Sequence, residues 1–168
     1  PECFTVENLK RLKEVGCYRI SAAIESGNED YRTNVLRRKG TNEDLIHWFA
    51  FLTESGIAYT INLIIGFPGE TREMVMNTIE LVRSIKGYDT LTVSIFTPYH
   101  GTVLRDVAIK NKWLNPDLMV ETHFTATSIL KMPPPYLSSD EIDGLIRTLP
   151  LYCYFPKSEF ENIKRAET

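Results

Sequence analysis

Asn62-Leu63-Ile64-Ile65-Gly66-Phe67-Pro68-Gly69-Glu70-Thr71 is the stretch that decides how this chain folds. An apolar, β-rich run, Ile57 to Ile65, leads into it, and an amphipathic helical pattern opens at Thr71. A buried strand therefore runs into a tight loop, and the loop into a helix. Gly66 and Gly69 tolerate backbone angles closed to other residues and let a ligand approach the main chain, while Pro68 stiffens the turn. In parallel α/β folds such loops sit at the carboxyl ends of strands, where ligands bind. The competing reading is a strand–helix turn that needs glycines for its geometry alone.

The units on either side repeat the pattern. Upstream, Thr5 to Glu14 reads as a helix capped by Thr5 and stopped by Gly16, and strand one follows over Cys17 to Ile24, with Tyr18, Ile20, Ala22 and Ile24 on one side. That strand ends in Glu25-Ser26-Gly27. A polar, basic stretch, Glu29 to Lys39, precedes a second helix that Thr41 and Asp44 open as a capping box, with Leu45, Ile46, Phe49 and Leu52 inside and Gly56 at its end. Strand two, Ile57 to Ile65, is apolar on both faces near its end, as a strand covered on both sides would be. Downstream, Val75, Ile79, Val82 and Ile85 stripe the helix after Thr71. Strand three, Thr90 to Phe96, ends in Thr97-Pro98-Tyr99-His100-Gly101-Thr102, before a short helix to about Lys110. Strands alternating with helices predict parallel strands joined by right-handed crossovers.

After Lys110 the pattern changes. Asn115-Pro116 and Met132-Pro133-Pro134-Pro135 interrupt it, Ser138-Ser139-Asp140-Glu141 caps another helix, and an aromatic run, Tyr152 to Phe155, precedes Pro156 and a last short helix. The fold class expected is α/β: three parallel βα units over residues 1–111, with a helical extension over 112–168 packed on them.

Composition sets outer bounds. The chain has 168 residues, 43% of them hydrophobic and 24% charged, with a net charge of −3. It is long enough for a core and carries no excess of positive charge for a large polyanion. No apolar run approaches the roughly 20 residues of a membrane helix, and no signal peptide is visible. Cys3, Cys17 and Cys153 are widely spaced, which reads as reduced thiols in a cytoplasmic protein. There is no CxxC and no P-loop lysine, and His47, His100 and His123 have no ligand spacing. The first residue, Pro1, leads to the expectation of a piece cut from a longer chain.

The strand ends, Ile24-Glu25-Ser26-Gly27, Ile64-Ile65-Gly66-Phe67-Pro68-Gly69-Glu70-Thr71 and Ser94-Ile95-Phe96-Thr97-Pro98-Tyr99-His100-Gly101-Thr102, resemble as an ordered set the second half of a radical S-adenosylmethionine (SAM) enzyme, over roughly Val6 to Asp106. Val35-Leu36-Arg37-Arg38 followed by Thr41-Asn42-Glu43 looks most like the branch with an N-terminal cobalamin-binding domain. The resemblance implies half of a partial TIM-type barrel, its partner being the N-terminal half of the same barrel. It also implies S-adenosylmethionine and a 4Fe-4S cluster as cofactors, with cobalamin as an addition. In the family the cluster sits on three cysteines spaced C-x3-C-x2-C and reduces the sulfonium, and the 5′-deoxyadenosyl radical formed takes a hydrogen atom from substrate. Here that spacing is absent, so the chain alone is expected to bind no cluster and to be inactive.

Residue by residue, the resemblance assigns Glu25 to the ribose hydroxyls, with Ser26 as a companion. A carboxylate offers a diol two acceptor oxygens. Arg38, or its neighbour Arg37, matches the basic residue facing the methionine carboxylate, which a guanidinium fork suits. Ile64, Ile65 and Gly66 match the segment that lies against adenine. The family pattern G-x-I-x-G-x-x-E is altered here, with Asn62 in the first glycine position and Glu70 one residue late, so Glu70 is expected to cap the loop or the helix start. Pro98, between Thr97 and Tyr99, falls near the adenine edge or substrate. No catalytic residue and no metal ligand is assigned. Two other readings stand beside this one: a non-catalytic α/β half-barrel for ligand binding or assembly, and an acid–base barrel enzyme using Glu25 and Glu70. An unpaired strand-one edge also predicts self-association.

Overall fold

The computed structural model describes residues 5–120 and 127–168. Cys3 and His123 lie outside the described residues. The chain forms α1 (Val6–Glu14), β1 (Arg19–Glu25), α2 (Glu29–Asn34), α3 (Asn42–Ser55), β2 (Ala58–Ile65), α4 (Arg72–Ser84), β3 (Thr90–Ile95), α5 (Val103–Lys110), α6 (Ser139–Tyr154), a short 3-10 turn (Lys157–Glu159) and α7 (Phe160–Arg165). The strands order as β1-β2-β3. β1 and β2 pair in parallel, from Arg19 opposite Ala58 to Glu25 opposite Leu63. Between β2 and β3, Asp89 N–H donates to Tyr59 O and, further along both strands, Phe96 N–H donates to Ile65 O. Both strands advance together, so this pair is parallel too. Among the described residues no helix is long and apolar enough to cross a membrane.

Two compact units emerge: Pro1–Leu63 with Met74–Thr92, and Ile64–Glu73 with Val93–Thr168. In the first, the capping box read from Thr41 and Asp44 forms, and Gly56 closes α3 in the left-handed conformation at φ +68°. Ala22, Ile24, Tyr59, Ile61 and Leu63 from the strands, Leu45, Phe49 and Leu52 from α3, and Val75, Ile79 and Val82 from α4 are buried and make its core. Phe49 meets Tyr59 with ring centroids 5.5 Å apart.

The other face of the strands is different. β2 alternates between buried and half-buried residues instead of being covered on both sides. Its second face carries Thr60 and Asn62, and these belong to a polar ladder. Asn62 Nδ2 donates to Ser21 Oγ at 2.7 Å, Arg19 Nη1 to Thr60 Oγ1 at 3.2 Å, and Arg19 Nη2 to Asp89 at 2.9 Å. Polar groups of this kind keep their hydration only on an accessible face. Tyr18 departs from its expected apolar side: it precedes β1 and is 82% exposed. The basic stretch after Gly27 holds a helix the sequence reading left out, α2, capped by Asn28 Oδ1 accepting from Tyr31 N–H.

In the second unit, α6 opens with the capping box read from Ser138 and Glu141, and its Ile142, Leu145, Leu149 and Tyr152 are buried. Its neighbours seat the Gly66–Glu70 loop. Leu137 N–H donates to Glu70 O, Thr71 bridges Tyr136, and Phe67 lies 5.2 Å from Phe96 between ring centroids. Arg72 grips Glu167 with both fork nitrogens, at 2.8 and 2.6 Å, and Tyr152 Oη donates to the same carboxylate. Glu167 comes so near α6 that a Cβ on Gly144 would lie 2.5 Å from the Glu167 carbonyl oxygen.

Candidate functional site

At the end of β1 the ladder slips. Ala23 is opposite Asn62 and Glu25 opposite Leu63, so Ile24 is an extra residue on β1. The bulge turns the strand end. Glu25 then takes φ +67°, and Ser26 N–H donates to Ile24 O at 3.0 Å, closing a three-residue turn around Glu25. That turn type is rare and strained for a residue with a side chain. The Glu25 carboxylate accepts from Arg38 Nη2 at 2.9 Å; its side chain is 13% exposed and that of Arg38 is 60% exposed. The two residues that the resemblance assigns to separate ends of one ligand are thus paired with each other, and Arg38 rather than Arg37 makes the contact.

Ser26 is fully buried. Its hydroxyl accepts from Asn28 N–H at 3.3 Å and its carbonyl from Arg32 Nη1 at 2.9 Å, so it shapes the turn. Gly27 presses onto α4: its N–H donates to Thr78 Oγ1 at 2.8 Å, and a Cβ there would stand 2.4 Å from Thr78 Cα.

In the second unit, Ile64 is half-buried and Ile65 and Gly66 are buried. Gly66 takes φ +81°, against Ile142. Glu70 is buried and caps the loop, as expected. Its Oε2 accepts from Gly66 N–H at 2.6 Å and from Phe67 N–H at 3.3 Å. Glu70 N–H donates to Phe67 O and Gly69 N–H to Met132 Sδ. Pro68 has no N–H, so every amide from Gly66 to Glu70 is engaged within the protein. A glycine-rich loop binds phosphate by pointing free amides at it; this one has none left to point. Burial pushes the Glu70 carboxyl up to about 8, against the pull of the two amide bonds, and its Oε1 has no partner. Pro98, at the end of β3, is buried, and its carbonyl accepts from Arg105 Nη1 at 3.0 Å.

Sequence reading missed two residues that hold these loops. Arg32, 1% exposed, donates to Ser26 O, Gly40 O and Asn42 Oδ1. Arg105, also buried, donates to Pro98 O, Pro116 O and Leu118 O. A signal existed for Arg105: it stands three residues before Ala108, on the apolar side of α5, where a solvated arginine has no place.

Cys17 is half-buried and Cys153 is buried. Among the described residues no three His, Cys, Asp or Glu side chains converge as a metal site. These residues therefore do not fit a 4Fe-4S cluster. The Glu25 carboxylate and the Arg38 guanidinium do fit the diol and carboxylate chemistry of S-adenosylmethionine.

The family model of the radical SAM superfamily matches residues 1–82. Over that stretch, just under half of the chain, the sequence is similar to the radical SAM superfamily. A tRNA-2-methylthio-N(6)-dimethylallyladenosine synthase of Lachnoclostridium phytofermentans is 31% identical over 99 residues, 58% of this chain and 21% of that protein. An uncharacterized methyltransferase of Pyrococcus horikoshii is 30% identical over 162 residues, 95% of this chain and 34% of that protein. The chain thus spans about a fifth to a third of the length of these relatives. Among solved structures, coproporphyrinogen III oxidase from Escherichia coli, described as a radical SAM enzyme, aligns with a TM-score of 0.53 at 24% identity, covering 59% of this chain and 23% of that one. That likeness concerns the fold: three parallel βα units of a partial TIM-type barrel, followed here by a helical C-terminal segment.

Proposed function

We propose that this chain supplies the S-adenosylmethionine ribose and adenine side, and part of the substrate side, of a radical SAM enzyme. The observation that carries the reading is Glu25: a carboxylate at a parallel strand end, in a strained turn, whose ion-pair partner is an exposed arginine. Strain of this kind persists where the surroundings fix it, and it collects at ligand sites. Glu25 accepts the ribose hydroxyls, and Arg38 faces the methionine carboxylate. Arg38 is the exposed member of the pair, so its guanidinium is open to a ligand carboxylate beside Glu25. In the second unit, the main chain of Ile64 to Gly66 lies against adenine, with Pro98 near its edge. Amides already engaged by Glu70 suit this reading, since adenine brings N–H donors and no phosphate.

Bound cofactor and cluster would supply radical chemistry, with the cluster ligands coming from outside the described residues. The proposed partner is the N-terminal half of the same barrel, pairing along the β1 edge. A place in the cobalamin-using branch rests on Val35–Arg38 and Thr41–Glu43 alone. The reading as a binding or assembly module shares the same ligand site and lacks the reaction.

Titration of S-adenosylmethionine into the wild type, Glu25→Gln and Glu25→Ala tests the assignment. Hydrogen bonds to a charged group are worth about 1.5–3 kcal/mol each. Glu25→Ala should therefore weaken binding by about one to two decades, and Glu25→Gln by less. Unchanged affinity in Glu25→Ala removes the ribose role.

A further inference from the structure

We propose that Arg32 is a positioning residue for the Glu25 carboxylate, and that its guanidinium fork sets the recognition of a vicinal diol at the end of β1. This rests on the ribose reading of Glu25. The chain leaves β1 at Glu25, travels through α2 and the basic stretch that carries Arg38, and enters α3 at Asn42. Arg32 closes this excursion at both ends. Its Nη1 donates to Ser26 O at 2.9 Å, directly after Glu25, and to Asn42 Oδ1 at 2.7 Å; its Nη2 donates to Gly40 O at 3.0 Å. Its own carbonyl accepts from Arg38 N–H at 3.0 Å, which fixes the backbone of the residue paired with Glu25. Asn42 completes the frame by donating to Gly27 O at 3.0 Å. The side chain thus ties the peptide after Glu25 to Gly40 and the start of α3, while the carbonyl of the same residue holds the backbone of Arg38.

The residue type matters. Arg presents donors in a rigid planar fork, so it can hold acceptors in different directions at fixed angles, whereas Lys offers one compact centre on a flexible stem. At 1% exposure the group is out of reach of bulk water, and its nearest acid, Glu29, stands 3.9 Å away. Its work is therefore on the backbone. Glu25 sits at φ +67°, a conformation a side-chain-bearing residue keeps only when neighbours over-determine it. Arg32 on Ser26 O and Thr78 on Gly27 N–H are those neighbours.

Calorimetric titration with S-adenosylhomocysteine and its 2′-deoxyribose analogue separates positioning from bulk stability. The wild type should prefer the ribose form by about tenfold or more, the worth of one hydrogen bond to a charged group. Arg32→Lys should reduce that preference to about threefold or less while leaving affinity for the deoxy form nearly unchanged. A purely structural arginine would instead lower the melting temperature and leave the preference intact, and that result overturns the proposal. Should Arg32→Lys fail to fold, Asn42→Ser, which takes away one acceptor of the fork and the bond to Gly27 O, decides in the same way. Glu25→Ala serves as the reference. If it keeps the full preference, or if the wild type shows none, the ribose reading itself fails. If it loses the preference while Arg32→Lys and Asn42→Ser keep it, only the role of Arg32 fails.

Discussion

The loop after β1 is held by a cation that gathers carbonyls, and the loop after β2 by a carboxyl group that gathers amides. Arg32 binds Ser26 O and Gly40 O; Glu70 binds Gly66 N–H and Phe67 N–H. The contrast shows what each loop has left to offer. After β1, the N–H groups of Ser26, Gly27 and Asn28 are also engaged, by Ile24 O, Thr78 Oγ1 and Ser26 Oγ. The amides there are taken, and the Glu25 side chain is what the strand end has left to offer. After β2 the donors are engaged, so main-chain recognition falls to carbonyl acceptors. One loop leaves a carboxylate free of the main chain, the other leaves backbone oxygen, and neither is a phosphate cradle.

The largest effect that could break this contrast is at Arg32. Arg32→Met leaves Ser26 O, Gly40 O and Asn42 Oδ1 without their donor, at about 1–3 kcal/mol for each acceptor that stays buried. A loss of about 3 kcal/mol or more in denaturant unfolding is expected, and a loss under about 1 kcal/mol would show that water replaces the guanidinium.

Glu70 should respond less, and in a pH-dependent way. Its folded carboxyl titrates at about 8 against an ordinary value of 4.5. Between those values the folded state holds a proton that the unfolded state has released. Stability from this group is thus fully present below 4.5 and is lost as pH rises through 8. Glu70→Gln keeps an acceptor for the two amides and cannot ionise, so melting temperatures followed from pH 5 to 9 should lose the decline the wild type shows over that range. Glu70→Leu, which orphans both amides, should cost about 2 kcal/mol at pH 6. Equal pH profiles for wild type and Glu70→Gln would mean that Glu70 is charged and that its two amides outweigh burial.

The smallest effects calibrate the two units against each other. Thr41→Ala in the first unit and Ser138→Ala in the second each remove the side chain of a complete capping box. Each should cost about 1 kcal/mol in thermal unfolding. A large inequality would show that one helix start is held by something beyond its box.

Much of the framework was legible because it is local. Both capping boxes, the glycine end of α3 and the alternation in β3 depend on residues a few positions apart, and the order of strands and helices predicted the parallel sheet. Glu70 as a loop cap was readable for the same reason. The roles of Arg32 and Arg105 were not, since their partners are main-chain carbonyls whose positions depend on the path of a loop. In sequence, Arg32 is one of several basic residues between Glu29 and Lys39, and such a stretch reads as a solvated face. The Glu25–Arg38 pair was hidden too: thirteen residues separate its members, and α2, which folds the stretch back, carried no strong signal. The polar face of β2 went unread because Ile64 and Ile65 drew attention to the strand's apolar end.

Glu25 also bears on how this protein should be engineered. Its left-handed backbone is one that glycine adopts freely and glutamate only under constraint. A library screened for thermal tolerance alone would thus favour Gly at position 25, and would report success while erasing the carboxylate at the strand end. On the ribose reading proposed above, heat resistance and ligand recognition pull this single codon in opposite directions, and a screen that scores only the first will select against the second.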